Sequence, residues 1–436
     1  MHTLNLTLTI IGTMILIIGV LANLIKNRWY ISAPIVALLV GVLVGPTVFG
    51  LLDVANWGDQ TRVLEEAARL TLGISLMGVA LRLPDRYLWQ HWRSVAILLG
   101  LVMPLMWLVS GALAYLFLGV PFWVALLIGA VVTPTDPVVS SSIVTGDLAE
   151  KNIPGYLRHV LSSESGANDG LAFPFVMLPI LFLTRPPGEA LTHWLTYTLL
   201  WEVLAAVLIG GVIGYLVGHV QQQAQRTFPE HTEQISLLSV TLALSLTVLG
   251  VVKLMGSDGI LAVFAAGIML NRVVKGQEKA EQEQIQDVVR RFFDLPVFVL
   301  LGMVLPWAQW IELGWAAVWL VVAVLLLRRL PALVAFSPLM GQVQRRSDAL
   351  FLGWFGPIGI AALFYATMAV RETQHEIVWI AGSLIITASI LVHGVSATPL
   401  TRLYGRMTRH AAADSHEQKQ PKRAQPADER MAPHPR

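Results

Sequence analysis

The sequence predicts an all-α, polytopic membrane protein with about thirteen transmembrane helices, and composition, hydropathy and the length of the apolar runs all indicate this class. Of the 436 residues, 55% are hydrophobic and only 13% are charged, whereas soluble domains carry about 25% charged residues. With a mean hydropathy of +0.65, the chain has more apolar surface than one globular core can hide. The apolar residues form runs of roughly 20, the length that crosses a bilayer as a helix. These runs lie near residues 4–24, 31–52, 62–82, 94–119, 121–146, 155–183, 191–219, 235–254, 257–272, 292–311, 314–337, 348–370 and 377–403.

The first apolar run, Leu4 to Leu24, lacks the basic segment that precedes a cleavable signal sequence, so we expect it to remain as a membrane helix. The chain has no cysteine, which excludes disulfides, thiolate metal sites and cysteine nucleophiles. No sizeable polar domain could house a soluble-type enzyme, and we expect neither a cofactor nor a nucleic-acid partner. The histidines have no metal-ligand spacing, and we interpret four of them as loop or interface residues: His91, His159, His193 and His393.

Basic residues are concentrated in alternate loops between the apolar runs. The poorer set of loops holds little beyond Arg62, Arg185 and Arg371. Because cytoplasmic loops carry the excess of lysine and arginine, this pattern predicts an external N-terminus and a cytoplasmic C-terminus. That orientation requires an odd number of spans. The richer set comprises Lys26, Arg28, Arg82, Arg86, Arg93, Lys151, Arg158, Arg226, the run 272–291, Arg345, Arg346 and the C-terminal tail.

Two polar segments lie outside the apolar runs. Residues 275–293 contain little glycine or proline, and we expect a cytoplasmic amphipathic helix, most simply a solvated connector. Residues 405–436 are rich in alanine, glutamine, proline and charged side chains, and we expect a disordered cytoplasmic tail. Residues 1–404 would then form one transmembrane domain.

Ionisable side chains at membrane depth are costly, by about 2.5–3.5 kcal/mol each on insertion scales, and are therefore functional candidates. Few such side chains interrupt the apolar runs of this chain. The main candidates are Asp136, Glu164, Asp169, Arg328 and Arg329, followed by Arg69, Asp258 and Asp294.

The segment TPTDP, from Thr133 to Pro137, breaks an otherwise apolar run. Pro137 has no N–H to donate and disfavours helical backbone at Asp136, and Pro134 does the same to Thr133. Unwound backbone at membrane depth is tolerated only where protein covers it or where it lines a cavity. We therefore expect backbone carbonyls, the Thr135 hydroxyl and the Asp136 carboxylate to serve as oxygen ligands. The simpler alternative is a proline kink with Asp136 near the membrane surface.

A second break is predicted in GWFGPIGIAALFYA, residues 353–366, where Gly356, Pro357 and Gly359 fall within an apolar span. A single kink of this kind would be a weak signal. Paired interruptions in the two halves of a chain, however, indicate a transporter whose site forms where two broken helices meet near the middle of the bilayer.

The span that follows the first break carries SSESGANDG, residues 162–170. Ser165 and Asp169 lie four residues apart and share one helical face, while Glu164 shares a different face with Asn168. We expect Asp169 and Ser165 to face a cavity, and Glu164 to face a neighbouring helix.

A buried Glu164 requires a basic partner. The late apolar segment LLLRRLPAL supplies Arg328 and Arg329, and an arginine in either position keeps its proton. We interpret the pair as structural, with two helices held together by one ion pair, and the sequence leaves open which arginine is used.

In this order the segments resemble the cation:proton antiporters, in particular the electroneutral branch that includes NhaP-like and NHE-like exchangers. The matching motifs are TPTDPV, SSESGANDG, LLLRRLPAL, WFGPIG and LVHGVSATPL. The resemblance covers most of residues 1–405, and its most specific part is the TDP and Asn-Asp pair on consecutive spans. It implies inverted repeats with two crossed discontinuous helices. It also implies a homodimer, with a dimerisation part around 1–82 and 191–311 and a core around 94–183 and 314–404.

The resemblance also implies roles for individual residues. Asp169 would bind either the cation or the proton, with Asn168 as its neutral neighbour, and Asp169 and Asp136 would be the metal-ion ligands. Thr135 and Ser165 would complete the site. Glu164 would pair with Arg328 or Arg329, and Arg328 is favoured because relatives tend to have Arg-x-Leu at that place. The broken-helix backbone would comprise Thr133, Pro134, Pro137, Gly356, Pro357 and Gly359.

The implied activity is the exchange of a monovalent cation for H⁺ by alternating access. Na⁺ is the favoured cation, and K⁺ or Li⁺ in the same fold is the alternative. The amide of Asn168 stands where a second acid would favour two protons per cation, so we expect electroneutral one-for-one exchange. The resemblance also favours the inner membrane of a bacterium as the location.

Two departures from the family pattern affect selectivity and the response to pH. Many relatives carry an arginine in the second break, where this chain has Ile358. Relatives often end the third span with Gly-Leu-Glu, whereas residues 78–84 of this chain contain no acid.

Two functions from other classes also use intramembrane acids. An intramembrane aspartyl protease needs two acids on nearby spans, and residues 331–333 match a short Pro-Ala-Leu motif of that class. Asp136, however, lacks a preceding tyrosine, and Asp169 lacks the Gly-x-Gly-Asp context. A cation channel is the other alternative, but the sequence has no carbonyl-rich filter motif or acidic repeat.

Overall fold

The protein is seen in a computed structural model that describes residues 2–28, 30–227, 237–273, 292–343 and 345–417. Every regular element in these ranges is helical. The predicted amphipathic helix over 275–293 lies, apart from its last two residues, outside the described part of the chain.

The helices follow the apolar runs, and proline or glycine stands at many of their ends. Short 3₁₀ turns cover Val54–Trp57 and Ser337–Leu339, and a π-helical stretch, Trp194–Ala205, joins α11 to α12. The helices are α1 (His2–Asn27), α2 (Ala33–Val44), α3 (Gln60–Arg82), α4 (Tyr87–Gln90), α5 (Trp92–Leu118), α6 (Phe122–Val131), α7 (Ser141–Val144), α8 (Asp147–Asn152), α9 (Gly155–Leu171), α10 (Phe173–Thr184), α11 (Pro187–His193), α12 (Ala206–Thr227), α13 (Leu237–Leu254), α14 (Gly259–Val273), α15 (Phe292–Met303), α16 (Trp307–Glu312), α17 (Gly314–Leu327), α18 (Leu330–Phe336), α19 (Arg346–Trp354), α20 (Ile360–Thr373) and α21 (Glu376–Glu417).

Several helices are long and apolar enough to cross a membrane. Within the described residues, the long ones are Trp92–Leu118, Gly155–Thr184, Pro187–Ala224, Gly314–Leu339 and Glu376–Arg409. The shorter apolar ones are Leu4–Val20, Ala33–Val44, Phe122–Val131, Ser239–Leu254, Gly259–Val273 and Phe292–Met303. The total of about thirteen spans stays a prediction, because length and composition alone do not fix the number.

Two predicted spans are shorter in the structure than in the sequence analysis. The run 31–52 becomes α2, which ends at Val44, because the Gly45 N–H closes the last turn on the Gly41 carbonyl and a proline follows. The run 292–311 becomes α15, which ends at Met303 ahead of Pro306. In both cases a proline within the predicted run follows shortly after the end of the helix, before the hydrophobic sequence stops.

The last helix continues further than predicted. A disordered tail was expected from residue 405, but α21 extends to Glu417, with Pro399 inside it. The alanine-rich sequence after His410 has high helix propensity, which accounts for the extension. The predicted tail beyond Glu417 lies outside the described residues.

The closest packing around α9 is with α14. A Cβ on Gly166 would meet the Phe264 ring, and a Cβ on Gly170 would lie 2.8 Å from the Cα of Leu261. Glycine is therefore required at both places for this close approach. The contact fixes the end of α9 that carries Asp169 against the first turns of α14.

Candidate functional site

The two breaks predicted from the sequence cross and bond to each other. The first runs from the end of α6 at Val131 to the start of α7 at Ser141, so it is wider than the predicted Thr133–Pro137. The second separates α19 from α20. The Asp136 N–H donates to the Pro357 carbonyl at 2.8 Å. Backbone left unpaired by one break is thus satisfied by the other.

The Asp136 carboxylate lies at this crossing and is buried. Its Oδ1 accepts from the Val138 N–H at 2.5 Å and from the Val139 N–H at 3.1 Å. Its Oδ2 accepts from the Ile360 N–H across the crossing. Asp136 therefore caps both breaks, and an ion bound there would share the carboxylate with backbone donors.

Gly359 permits this arrangement because it has no side chain. A Cβ at that position would overlap the Asp136 carboxylate.

We expect Gly359→Ala to lower the free energy of unfolding by about 1–3 kcal/mol, the usual cost of overpacking a filled interior. The measurement is the melting temperature of purified protein in detergent. Gly341→Ala is the matched control, because a Cβ at Gly341 meets nothing within 4 Å. Equal melting temperatures for the two variants would contradict the close approach of the breaks.

Arg328 binds carbonyl oxygens from both breaks. Its guanidinium donates to the carbonyls of Val132 and Thr133 in the first break, the latter at 3.1 Å, and to the Gly356 carbonyl in the second. The side chain is buried. Its positive charge neutralises the negative ends of backbone dipoles that no longer have helical partners.

Glu164 pairs with Arg329, one of the two arginines that the sequence left open, and the preference for Arg328 was wrong. The Arg329 guanidinium donates to both carboxylate oxygens, with Nη2 2.6 Å from Oε2, and its Nε donates to the Leu352 carbonyl at 3.0 Å. The two side chains are 3% and 2% exposed. The reason is geometric: α17 ends at Leu327, and the two arginines that follow it point in different directions.

Asn168 fastens α9 to the first break. Its Nδ2 donates to the Thr135 hydroxyl at 2.7 Å, and its Oδ1 accepts from the Thr135 N–H at 3.2 Å. Both polar atoms of the amide are therefore in use. This places the next residue, Asp169, beside the unwound segment.

Asp169 is the exceptional group of the site. It is 0% exposed, and within the described structure neither carboxylate oxygen has a hydrogen-bond partner. Its main-chain carbonyl accepts from the Tyr365 hydroxyl at 2.5 Å. Ser165, one turn earlier, donates its hydroxyl to the Leu161 carbonyl at 2.8 Å, which leaves its oxygen lone pairs free. A buried carboxylate in this condition is stabilised by taking up either a proton or a cation.

Three further residues belong to the site but were missed or misassigned. The sequence analysis did not identify Tyr365. The available signal was a tyrosine in the apolar helix that follows the second break. His393 was interpreted as a loop or interface residue, which is wrong, because it is 4% exposed. Its Nε2 bonds to the Trp354 carbonyl at 2.9 Å, at the end of α19. Ser389, on the same helix, accepts from the Ile358 N–H at 2.8 Å in the second break.

Three other intramembrane candidates bond to groups outside the two breaks. Arg69 pairs with Glu66 at 2.6 Å on α3. Asp294 accepts from the Ser75 hydroxyl at 2.6 Å. Asp258 caps the start of α14.

Comparison with known proteins identifies the family to which the chain belongs. A family model described as the transmembrane part of sodium/hydrogen exchangers matches residues 12–403. A Na(+)/H(+) antiporter of Saccharomyces cerevisiae is 32% identical over 423 residues, which are 90% of this chain and 43% of that protein. A Na(+)/H(+) antiporter of Schizosaccharomyces pombe is 31% identical over 430 residues, 92% of this chain and 91% of that protein.

Lengths and folds complete the comparison. The chain spans about half the length of three of its curated relatives, at 43%, 46% and 55%. The structure of the sodium proton antiporter MjNhaP1 from Methanocaldococcus jannaschii at pH 8 matches with a TM-score of 0.70 and 18% identity, over 92% of this chain and 98% of that one. This match confirms the predicted all-α polytopic fold. Because the family model spans most of the sequence and the relatives are at least 30% identical over most of it, this chain is an integral membrane protein of the sodium/hydrogen exchanger family.

Proposed function

We propose that the protein exchanges Na⁺ for H⁺ across the membrane, with Asp169 as the group that binds either ion. The observation that carries the proposal is the state of this carboxylate, which is fully buried with both oxygens unpaired, next to the crossing of two broken helices. Na⁺/H⁺ antiporters among the curated relatives support Na⁺ as the cation.

Exchange follows from competition for one carboxylate. Protonated Asp169 is neutral and binds no cation, whereas ionised Asp169 attracts a hard cation, which prefers oxygen ligands. The Ser165 hydroxyl and the Thr135 hydroxyl supply further oxygens nearby. In this proposal Asp136 contributes mainly by holding the breaks in place, because backbone N–H groups already occupy both of its oxygens.

One-for-one, electroneutral exchange is supported by Asn168. Its amide cannot titrate, and its hydrogen bonds with Thr135 use both of its polar atoms. Only Asp169 would then change protonation in each cycle. K⁺ or Li⁺ in place of Na⁺ remains the alternative within the same mechanism, because residue types do not give the radius of the ion site.

Alternating access would come from movement of the proposed core against the proposed dimerisation part. Such a movement must open the contact between α20 and α3. In this contact Arg371 donates to the Glu65 carboxylate through Nε at 2.8 Å and through Nη2 at 2.9 Å. Its position near the ends of both helices fits a closure on one side of the membrane.

The homodimer, the external N-terminus and the cytoplasmic C-terminus belong to this proposal. The inner membrane of a bacterium stays a prediction, since the curated relatives come from yeasts.

The two alternatives from other classes fit the site less well. An aspartyl protease needs two carboxyl groups close enough to share one proton, but backbone N–H groups occupy both oxygens of Asp136. A channel passes ions without a counter-ion, whereas a single buried acid that binds proton or cation couples the two.

The test is ion exchange by purified protein in liposomes that contain a pH-sensitive dye. We expect Na⁺ addition to move protons in the opposite direction, and the KM for Na⁺ to rise as the pH falls, because protons compete for the same carboxylate. Parallel titrations with K⁺ and Li⁺ identify the preferred cation. Sodium flux that needs no proton counter-movement would favour a channel and would contradict the proposal.

A further inference from the structure

A second group of buried oxygens lies where the loop before α14 meets the π-helical stretch. It comprises Thr198, Glu202 and Asp258, and is called here the α14 oxygen cluster. The Asp258 N–H donates to the Glu202 carbonyl at 3.1 Å. The Ser257 hydroxyl donates to the Trp201 carbonyl at 2.7 Å. These bonds hold the loop and the π-helical stretch together, and π-helical turns are frequent at functional sites.

Each member of the cluster has a buried oxygen without a hydrogen-bond partner. Asp258 is 6% exposed; its Oδ1 accepts from the Ile260 N–H at 2.9 Å, while its Oδ2 has no partner. The Glu202 Oε2 is buried and also has none. The Thr198 hydroxyl is 0% exposed and faces the Glu202 carboxyl, and among the described residues its oxygen has no other partner. Buried oxygens of this kind call for a proton or a cation.

The surrounding charges favour a monovalent ion. Glu202 and Asp258 act on each other electrostatically, and within the described residues neither belongs to an ion pair. Lys253 acts on both acids and Arg185 acts on Glu202, although both basic side chains are exposed. The two basic side chains offset part of the negative charge of the two carboxylates. The remaining negative charge suits a monovalent cation better than a divalent metal. The described residues also contain no cluster of three or more acids or histidines suited to such a metal.

The α14 oxygen cluster is a close neighbour of the Asp169 site. Leu261, three residues after Asp258, packs against Gly170, which follows Asp169. Asp258 also acts electrostatically on Tyr365, whose hydroxyl bonds to the Asp169 carbonyl. One turn of α14 and one tyrosine therefore separate the two groups of oxygens.

We propose that Thr198, Glu202 and Asp258 form a second monovalent-cation site, which holds the transported ion between the Lys253 end of the helices and Asp169. The inference rests on the proposed exchange function. Its physical basis is that a cation supplies the missing partner of buried carboxylate and hydroxyl oxygens. In the proposed orientation, the Lys253 end is external.

The test uses the double variant Glu202→Gln plus Asp258→Asn in liposomes, with the KM for Na⁺ measured separately from each side. Asparagine caps a helix about as well as aspartate, so α14 should keep its N-cap. We expect the KM for Na⁺ added at the Lys253 side to rise about tenfold, and the KM from the opposite side to stay unchanged. Glu189→Gln, an exposed acid on α11, is the matched control and should change neither value.

A binding measurement keeps the inference testable if the double variant transports poorly. Asp169→Asn removes the exchange site, so calorimetric titration of that variant with NaCl should detect Na⁺ binding at the α14 oxygen cluster alone. This binding should vanish when the double substitution is added. Equal KM values for wild type and double variant, or no Na⁺ binding by Asp169→Asn, would overturn the second site. Absence of Na⁺/H⁺ exchange by the wild-type protein would instead overturn the proposed function.

Discussion

Asp169→Asn should abolish Na⁺-driven proton movement while leaving the protein folded. The amide has nearly the same shape as the carboxyl group but neither titrates nor carries charge. No hydrogen bond to the Asp169 side-chain oxygens is lost, because none exists among the described residues. The substitution also removes an acid that is 0% exposed, and buried, unpaired charge destabilises a fold. We therefore expect loss of exchange without a lower melting temperature.

The measurement is the dye response of liposomes that contain equal amounts of folded variant and wild-type protein, checked by gel filtration. Asp147→Asn is the matched control, since Asp147 is an exposed aspartate in the first turn of α8 and should keep full activity. A Na⁺-driven pH change of wild-type size in Asp169→Asn would show that another group binds the ions. Aggregation of that variant alone would show that Asp169 is structural.

The two breaks could be predicted because their cause is local. Proline lacks an N–H wherever it stands, so TPTDP and the second glycine–proline segment interrupt a helix in any surroundings. The sequence could not show how the freed groups are satisfied. Asp136 was expected to serve as an oxygen ligand, and the pattern of residues did not show that N–H groups from both breaks also bind it. That contact joins residues 224 positions apart, and the pattern of neighbouring residues carries no information about it.

His393 is a second residue whose contacts the sequence could not show. The absence of metal-ligand spacing gave no reason to predict a metal site there, but it did not justify a loop or interface position. The imidazole bonds to the Trp354 carbonyl, 39 positions earlier. The glycine–proline break predicts that carbonyl groups at the end of α19 lack helical partners. Only the packing of α21 against α19 shows which side chain bonds to them.

The family and the fold class were predictable for a different reason. Apolar runs of span length follow from bilayer thickness, and the order of short polar motifs within them is specific. Helix ends were less predictable, as α2 and α21 show, because proline, glycine and helix propensity at the ends compete with the apolar pattern. Glu164 and Asp169 were both recognised as buried acids, but their different surroundings emerge only from the structure.

The pairing of Glu164 with Arg329 leads to the second large expected effect. Arg329→Met should lower the free energy of unfolding by about 3–5 kcal/mol, because removal of one partner leaves a buried charge uncompensated. Glu164 would remain 2% exposed, with no other arginine bonded to it within the described structure. The double variant Glu164→Gln plus Arg329→Met should recover part of the loss, since the buried charge is then gone.

A partly exposed ion pair provides the control, because it shows the cost of removing an arginine that is not buried with its partner. Arg158 and Glu150 lie 3.7 Å apart with 23% and 60% of their side chains exposed. Solvent screens such a pair, so Arg158→Met should cost only about 0–1 kcal/mol. Melting temperatures of the variants in one detergent provide the comparison. The contrary outcome is equal melting temperatures for Arg329→Met and Arg158→Met, with a far lower melting temperature for Arg328→Met. Arg328 would then be the partner of Glu164. The carbonyl groups at the crossing of the breaks would need another source of positive charge.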